Sequence, residues 1–143
     1  MPTNLFSAAD ISASGMTAER LRMETVANNI ANANTTRTAN GEPFRRKQLV
    51  FSEVMGNQGG LVGDMRGVRV SSREADNSPF PEVYSPGHPD ADANGILRVS
   101  NVKMPNEMVD LITASRSYEA NLKALTSFKD MIEQTLALLR GSR

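Results

Sequence analysis

The sequence predicts a mainly α protein. Two long helices at the chain ends pair as an antiparallel coiled coil, and a small irregular β-containing insertion lies between them. Three observations carry this. First, 8 of the 10 glycines and 5 of the 7 prolines fall between Gly41 and Gly95, whereas 3–40 and 106–140 hold no proline and the single glycine Gly15. Proline and glycine disfavour a helix interior by about 3 and 1 kcal/mol, so the flanks are helical and the centre is not. Second, stepping from Met108 alternately by three and four residues meets Met108, Leu111, Ser115, Tyr118, Leu122, Leu125, Lys129, Ile132, Leu136 and Leu139, of which 8 are apolar. That spacing is a coiled-coil seam rather than the broader stripe of a helix on a globular core. Third, Ala9, Met16, Met23 and Ile30 recur every seven residues near the other end. The segments are therefore 1–36, 37–104 and 105–143.

The N-terminal helix is built on Ala and Met, with Ala13, Val26 and Ala27 filling intermediate positions. Small residues allow close approach and Met adapts to irregular surfaces, so this helix packs closely and forms poorly alone. It ends in Asn28-Asn29-Ile30-Ala31-Asn32-Ala33-Asn34. Asparagine amides compete for backbone groups inside a helix but suit its C-terminus, which accounts for Asn32 and Asn34. Asn28 and Asn29 flank the apolar Ile30. Their amides are expected to bond to a neighbouring helix and set its register, as a buried polar residue does in a coiled coil.

In the insertion, short strands are predicted at 48–51, 68–70, 82–84 and 96–99, separated by loops rich in Gly, Asn, Asp and Pro. Asn94-Gly95 is expected to supply left-handed residues to a turn. Arg45-Arg46-Lys47 precedes an apolar run and reads as solvated charge on a strand edge. The C-terminal helix starts at Pro105, whose missing N–H costs nothing in a first turn, and runs to Gly141. At 1.5 Å per residue it is on the order of 50 Å long. A seam of that length needs a partner of equal length.

Chemistry is limited by composition. The 143 residues suit one ordinary domain. With no Cys and one His, thiol nucleophiles, disulfides and thiolate zinc sites are excluded. The 16 basic and 16 acidic residues are spread along the chain rather than blocked, which argues against nucleic acid as a partner. No apolar window reaches the roughly 18 residues of a membrane span, and Met1-Pro2-Thr3-Asn4 lacks the basic start of a cleaved signal. Asp90-Ala91-Asp92-Ala93-Asn94-Gly95 begins like a calcium loop, but its twelfth position is Asn101 rather than a bidentate Glu. His88 has no second His or Cys nearby, and Asp90 with Asp92 is a dense carboxylate pair on which a hydrolase could rest. Asn34-Thr35-Thr36 fits a glycosylation triplet, which means little without a secretory signal. No phosphate loop or nucleophile elbow is present. The sequence predicts no catalytic residue, metal or cofactor.

Two terminal motifs carry a resemblance. Ser14-Gly15-Met16-Thr17-Ala18 with Ala27-Asn28-Asn29-Ile30-Ala31-Asn32-Ala33-Asn34-Thr35 resembles the N-terminal signature of the bacterial flagellar rod, hook and hook-associated family. Asn101-Val102, Met108-Val109-Asp110-Leu111-Ile112 and Ser115-Arg116-Ser117-Tyr118-Glu119-Ala120-Asn121 resemble its C-terminal one. The resemblance implies an axial structural subunit of the basal body, located in the periplasmic rod. It implies export through the flagellar type III apparatus without a cleaved signal, and helical polymerisation with itself and other rod subunits. The pairing interface is then expected at Met16, Met23, Asn28, Asn29, Ile30 and Asn32 on one helix. On the other it is expected at Met108, Leu111, Tyr118, Leu122, Leu125, Ile132, Leu136 and Leu139. Isolated amphipathic helices are marginal, so the termini are expected to order as the rod grows. A different axial protein of the same family, or a soluble coiled-coil adaptor or export chaperone, is the alternative.

Overall fold

The computed structural model describes residues 3–55 and 65–141; Met1, Pro2, Ser142 and Arg143, which belong to the expected end segments, lie outside the described residues. The elements are α1 (Thr3–Ala31), β1 (Lys47–Met55), β2 (Met65–Ala75), β3 (Glu82–Tyr84), β4 (Ile96–Arg98) and α2 (Met104–Gly141). Two terminal helices thus enclose an insertion of two small two-stranded sheets, β1 with β2 and β3 with β4. Strands β3 and β4 match the sequence expectation almost residue for residue. Strands β1 and β2 are longer than their apolar runs, because the strands continue through polar residues such as Ser52, Glu53, Ser71 and Ser72 that hydropathy does not mark.

Helix α1 carries no acid in its first turn and no base in its last, so its dipole is left uncompensated by side chains. Asn32 finishes it locally: its Nδ2 donates to the Asn28 carbonyl at 2.9 Å, and its own N–H reaches the same carbonyl at 3.2 Å. Helix α2 has Pro105 in its first turn, Glu107 beside it and Arg140 in its last turn, charges that favour both ends.

In the β3–β4 hairpin Val83 pairs with Leu97 and Glu82 with Arg98, antiparallel. The preceding turn is organised by Asp92, whose Oδ1 accepts from the N–H groups of Asn94 at 2.8 Å and Ile96 at 2.9 Å. Only Gly95 is left-handed there, at φ +77°. The expectation that Asn94 shares that conformation is corrected: among the described residues no non-glycine has positive φ, since Asp92 holds the turn by side-chain acceptance instead.

The chain divides into two compact units. One comprises the chain up to Leu21, Phe51–Ser71 and the chain from Ala114; the other comprises Arg22–Val50 and Ser72–Thr113. In the first, Gly15 of α1 lies against Asn121 of α2: a Cβ built there would lie 2.9 Å from its Nδ2. A second glycine, Gly67 at φ +125°, brings β2 against Ser14 of α1, whose Oγ accepts from the Val68 N–H at 3.1 Å and donates to the Ile11 carbonyl at 2.7 Å. In the second unit the core is small, formed around Val26, Phe44 and Leu97, and much of what is buried there is polar: Thr25, Asn29, Ser100, Asn101 and Glu107.

Candidate functional site

Three of the buried polar groups of the second unit, Asn29, Asn101 and Glu107, belong to one connected clasp built around Arg46. Glu107 sits in the first turn of α2 with no exposure at all. Its Oε1 accepts from Nε of Arg46 at 2.6 Å, and its Oε2 accepts from Nδ2 of Asn29 at 2.9 Å. Asn29, also buried, imitates a neighbouring strand for Lys47: its Nδ2 donates to the Lys47 carbonyl at 2.8 Å and its Oδ1 accepts from the Lys47 N–H at 2.9 Å. Three of the amide's four hydrogen-bonding sites are used. One side chain therefore joins the last turn of α1 to the start of β1 and to α2.

Arg46 is the hub of charge. Beyond Glu107 it reaches Asp110 at 3.3 Å and Asp76 at 3.7 Å, and Asp110 in turn pairs with Arg22 at 3.2 Å. Burial works against the charge on Arg46, but the hydrogen bond to Glu107 and the charges of Glu107, Asp110 and Asp76 outweigh it and hold the guanidinium above its ordinary pKa. Asp76 is held below the usual carboxylate range, first by bonds from the Ser78 hydroxyl and N–H and then by Arg46. The backbone is fastened too. The Arg46 N–H donates to Oδ1 of Asn101 at 2.7 Å, Nδ2 of Asn101 donates to the Asp76 carbonyl at 3.0 Å, and the Asp76 N–H donates to the Arg46 carbonyl at 2.8 Å. A buried carboxylate is tolerated only when paired and hydrogen-bonded, and Glu107 is both.

Two members of the basic triplet, Arg45 and Arg46, are accordingly not solvated edge charge, which corrects the reading made from charge alone, while Lys47 is exposed at the start of β1. Arg46 is turned into the clasp, and Arg45 lies over the Phe80 ring at 4.2 Å. His88 is a loop residue whose Nδ1 accepts from the Asp90 N–H at 3.1 Å, and the Asp90 carboxylate is engaged by Thr36 and Arg37. Among the described residues no group of three ligating side chains could hold a metal, and no helix is long and apolar enough to cross a membrane.

The expected pairing residues divide into two sets. On α2, Leu111, Tyr118, Leu125 and Ile132 are half-buried, whereas Met108, Leu122, Leu136 and Leu139 are exposed. On α1, Asn29 is buried, Met16, Met23, Ile30 and Asn32 are half-buried, and Asn28 is exposed. Among the described side chains of α1 the most buried are Ser12, Ala18, Thr25, Val26 and Asn29, of which Asn29 alone belongs to the expected pairing set. Hydropathy periodicity passes over that face because it is small and polar. Glu107, Asp110, Arg22, Arg46 and Asp76 were invisible for the same reason. The one available signal was an acid at the third residue after Asn-Val-Lys-Met at 101–104, a first-turn position that favours negative charge.

Two family models match the chain, both of flagellar basal-body rod proteins: "Flagella basal body rod protein" over residues 10–37 and "Flagellar basal body rod FlgEFG protein C-terminal" over 93–138. Relatives named flagellar basal-body rod protein FlgC align over almost their full length. The one from Borreliella burgdorferi is 41% identical over 96% of this chain and 99% of its own. That of Aquifex aeolicus is 45% identical over 92% and 95%, and that of Bacillus subtilis 41% over 93% and 97%. The chain belongs to the FlgC family of flagellar basal-body rod proteins. These relatives are structural rod proteins and not enzymes.

Proposed function

We propose that the chain is a structural subunit of the periplasmic flagellar rod. It reaches the rod through the flagellar type III apparatus without a cleaved signal. There it polymerises helically, with its own copies and with neighbouring rod subunits, through terminal helices paired as an antiparallel coiled coil. The observation that carries this reading is the uncovered apolar surface of α2: Met108, Val109, Ile112, Leu122, Leu136, Leu138 and Leu139 are all exposed in a single chain. Burying one such side chain fully is worth about 1.5–3 kcal/mol, so contact with neighbours supplies a core that the chain alone lacks. The pairing direction is supported within the second unit, where Arg22 meets Asp110 and the later Asn29 meets the earlier Glu107. The last turns of α2, the most exposed, are those that order as neighbours arrive.

Light scattering against concentration tests this. A rod subunit forms open-ended oligomers, and replacing Leu136 and Leu139 by Ser abolishes them without unfolding the second unit. A self-contained adaptor stops at a dimer of fixed size, and that result would overturn the reading.

A further inference from the structure

The sequence holds two Asn-Gly pairs, in Ala39-Asn40-Gly41 and Ala93-Asn94-Gly95. We propose that Asn40 is a site of spontaneous deamidation in the folded protein, and that the fold protects Asn94 from the same reaction. In that reaction the glycine N–H gives its proton to hydroxide, and the nitrogen attacks Cγ of the preceding asparagine. The side-chain nitrogen leaves as ammonia, taking a proton back from water, and a cyclic succinimide closes. Water then opens the ring at either carbonyl, giving aspartate or isoaspartate. Glycine favours the attack because no Cβ crowds its nitrogen and its backbone rotates freely.

The two pairs sit in matching turns. The Thr38 N–H donates to the Glu42 carbonyl at 2.8 Å and the Gly41 N–H to the Thr38 carbonyl at 2.9 Å. Likewise the Asp92 N–H donates to the Ile96 carbonyl at 3.0 Å and the Gly95 N–H to the Asp92 carbonyl at 2.9 Å. Both glycines have φ +77°, and both asparagines are exposed. In each turn the attacking nitrogen is tied to a carbonyl, so the turn must open before the ring can form. The rate therefore depends on what holds each turn shut.

The surroundings differ. Gly41 is exposed, and a Cβ built on it would meet nothing within 4 Å. Its turn gains one side-chain bond, from the Thr38 hydroxyl to the Glu42 carbonyl at 2.8 Å. Gly95 is buried, and a Cβ there would lie 3.0 Å from both Pro86 and Tyr84. Its carbonyl accepts from the Ser85 N–H at 2.8 Å, and Oδ1 of Asp92 holds the N–H groups of Asn94 and Ile96. Ile96 also pairs with Tyr84 across the hairpin. One net hydrogen bond shifts an opening equilibrium about fivefold, so the 92–96 turn opens more rarely than the 38–42 turn by at least that factor.

The full chain is incubated at mildly alkaline pH, either folded or in guanidinium chloride. Tryptic fragments 38–45 and 74–98 are then followed by mass spectrometry, with fragmentation to place the change. In the folded chain Asn40 is expected to convert at least about fivefold faster than Asn94, with isoaspartate among its products. Unfolded, the two identical Ala-Asn-Gly sequences are expected to convert within about twofold of each other, since no turn then protects either. A smaller ratio in the folded chain, no isoaspartate at position 40, or the same difference persisting in guanidinium chloride would overturn the assignment.

Discussion

Removing Arg46 is the most severe single change the clasp can suffer. Glu107 has no exposure, and its partners are Arg46 at 2.6 Å and the Asn29 amide at 2.9 Å. In Arg46→Met the carboxylate keeps one neutral donor and no cation. Breaking a buried pair from one side typically costs about 3–5 kcal/mol, because an uncompensated charge stays buried. Asp110 retains Arg22 and Asp76 retains Ser78, so most of the loss traces to Glu107. The double variant Arg46→Met, Glu107→Leu removes the stranded charge along with the cation, and well-packed apolar replacements of an ion pair are often close to neutral. It should therefore be more stable than Arg46→Met alone. Urea unfolding of dilute protein, followed by circular dichroism, measures both. A single variant that loses less than about 1 kcal/mol, or a double variant worse than the single, would refute the claim that Glu107 is charged and held by Arg46.

Other outcomes follow from the same contacts. Gly15→Ala should be nearly neutral in thermal unfolding, because the gain of about 1 kcal/mol in helix propensity offsets a displacement of the flexible end of Asn121, 2.9 Å from the new Cβ. Gly15→Val should destabilise strongly. Gly67→Ala should lower the melting temperature, since φ +125° strains any side chain and the new methyl meets Ser14. Asp76 titrates below its ordinary value when folded, so its contribution is present above that value and is lost as pH falls through the lowered one. The fall in urea midpoint on the acid side of pH 4 should be shallower in Asp76→Asn. Arg46 is held above its ordinary value, so its contribution is fully present below that value and should add no pH dependence in the ordinary range. If dilute monomer already shows the full helix signal of α1 and α2, the coupling of helix order to assembly is wrong.

What could be read in the sequence depended on which physics set each feature. Proline and glycine decide where helices cannot run, and their confinement to the centre located α1 and α2 to within a few residues. The 82–84 and 96–98 strands announced themselves because β-branched and aromatic residues sit between strong turn signals. The contact face of α1 did not, since Ser12, Ala18, Thr25 and Asn29 have no hydrophobic period to detect. Asn29 was found and Asn28 was not separated from it, because the two differ only in rotation: one faces the start of β1 and Glu107, the other is exposed. Arg46 looked like its neighbours Arg45 and Lys47, as charge alone does not say which cation will meet a buried carboxylate 61 residues away. Where periodicity did mark α2, several of the residues it named are exposed in the single chain, as a surface reserved for neighbouring copies would be.

The central claim is that this chain builds the rod through the outward faces of its terminal helices. Basal bodies imaged from a bacterium lacking the chain, and from the same strain supplied with the wild-type or the Leu136→Ser, Leu139→Ser form, test it most directly. The expected result is loss of the rod, restored by the wild type and not by the double variant, although the variant protein is present and folded in its second unit. Intact rods without the chain, or full restoration by the variant, would contradict it.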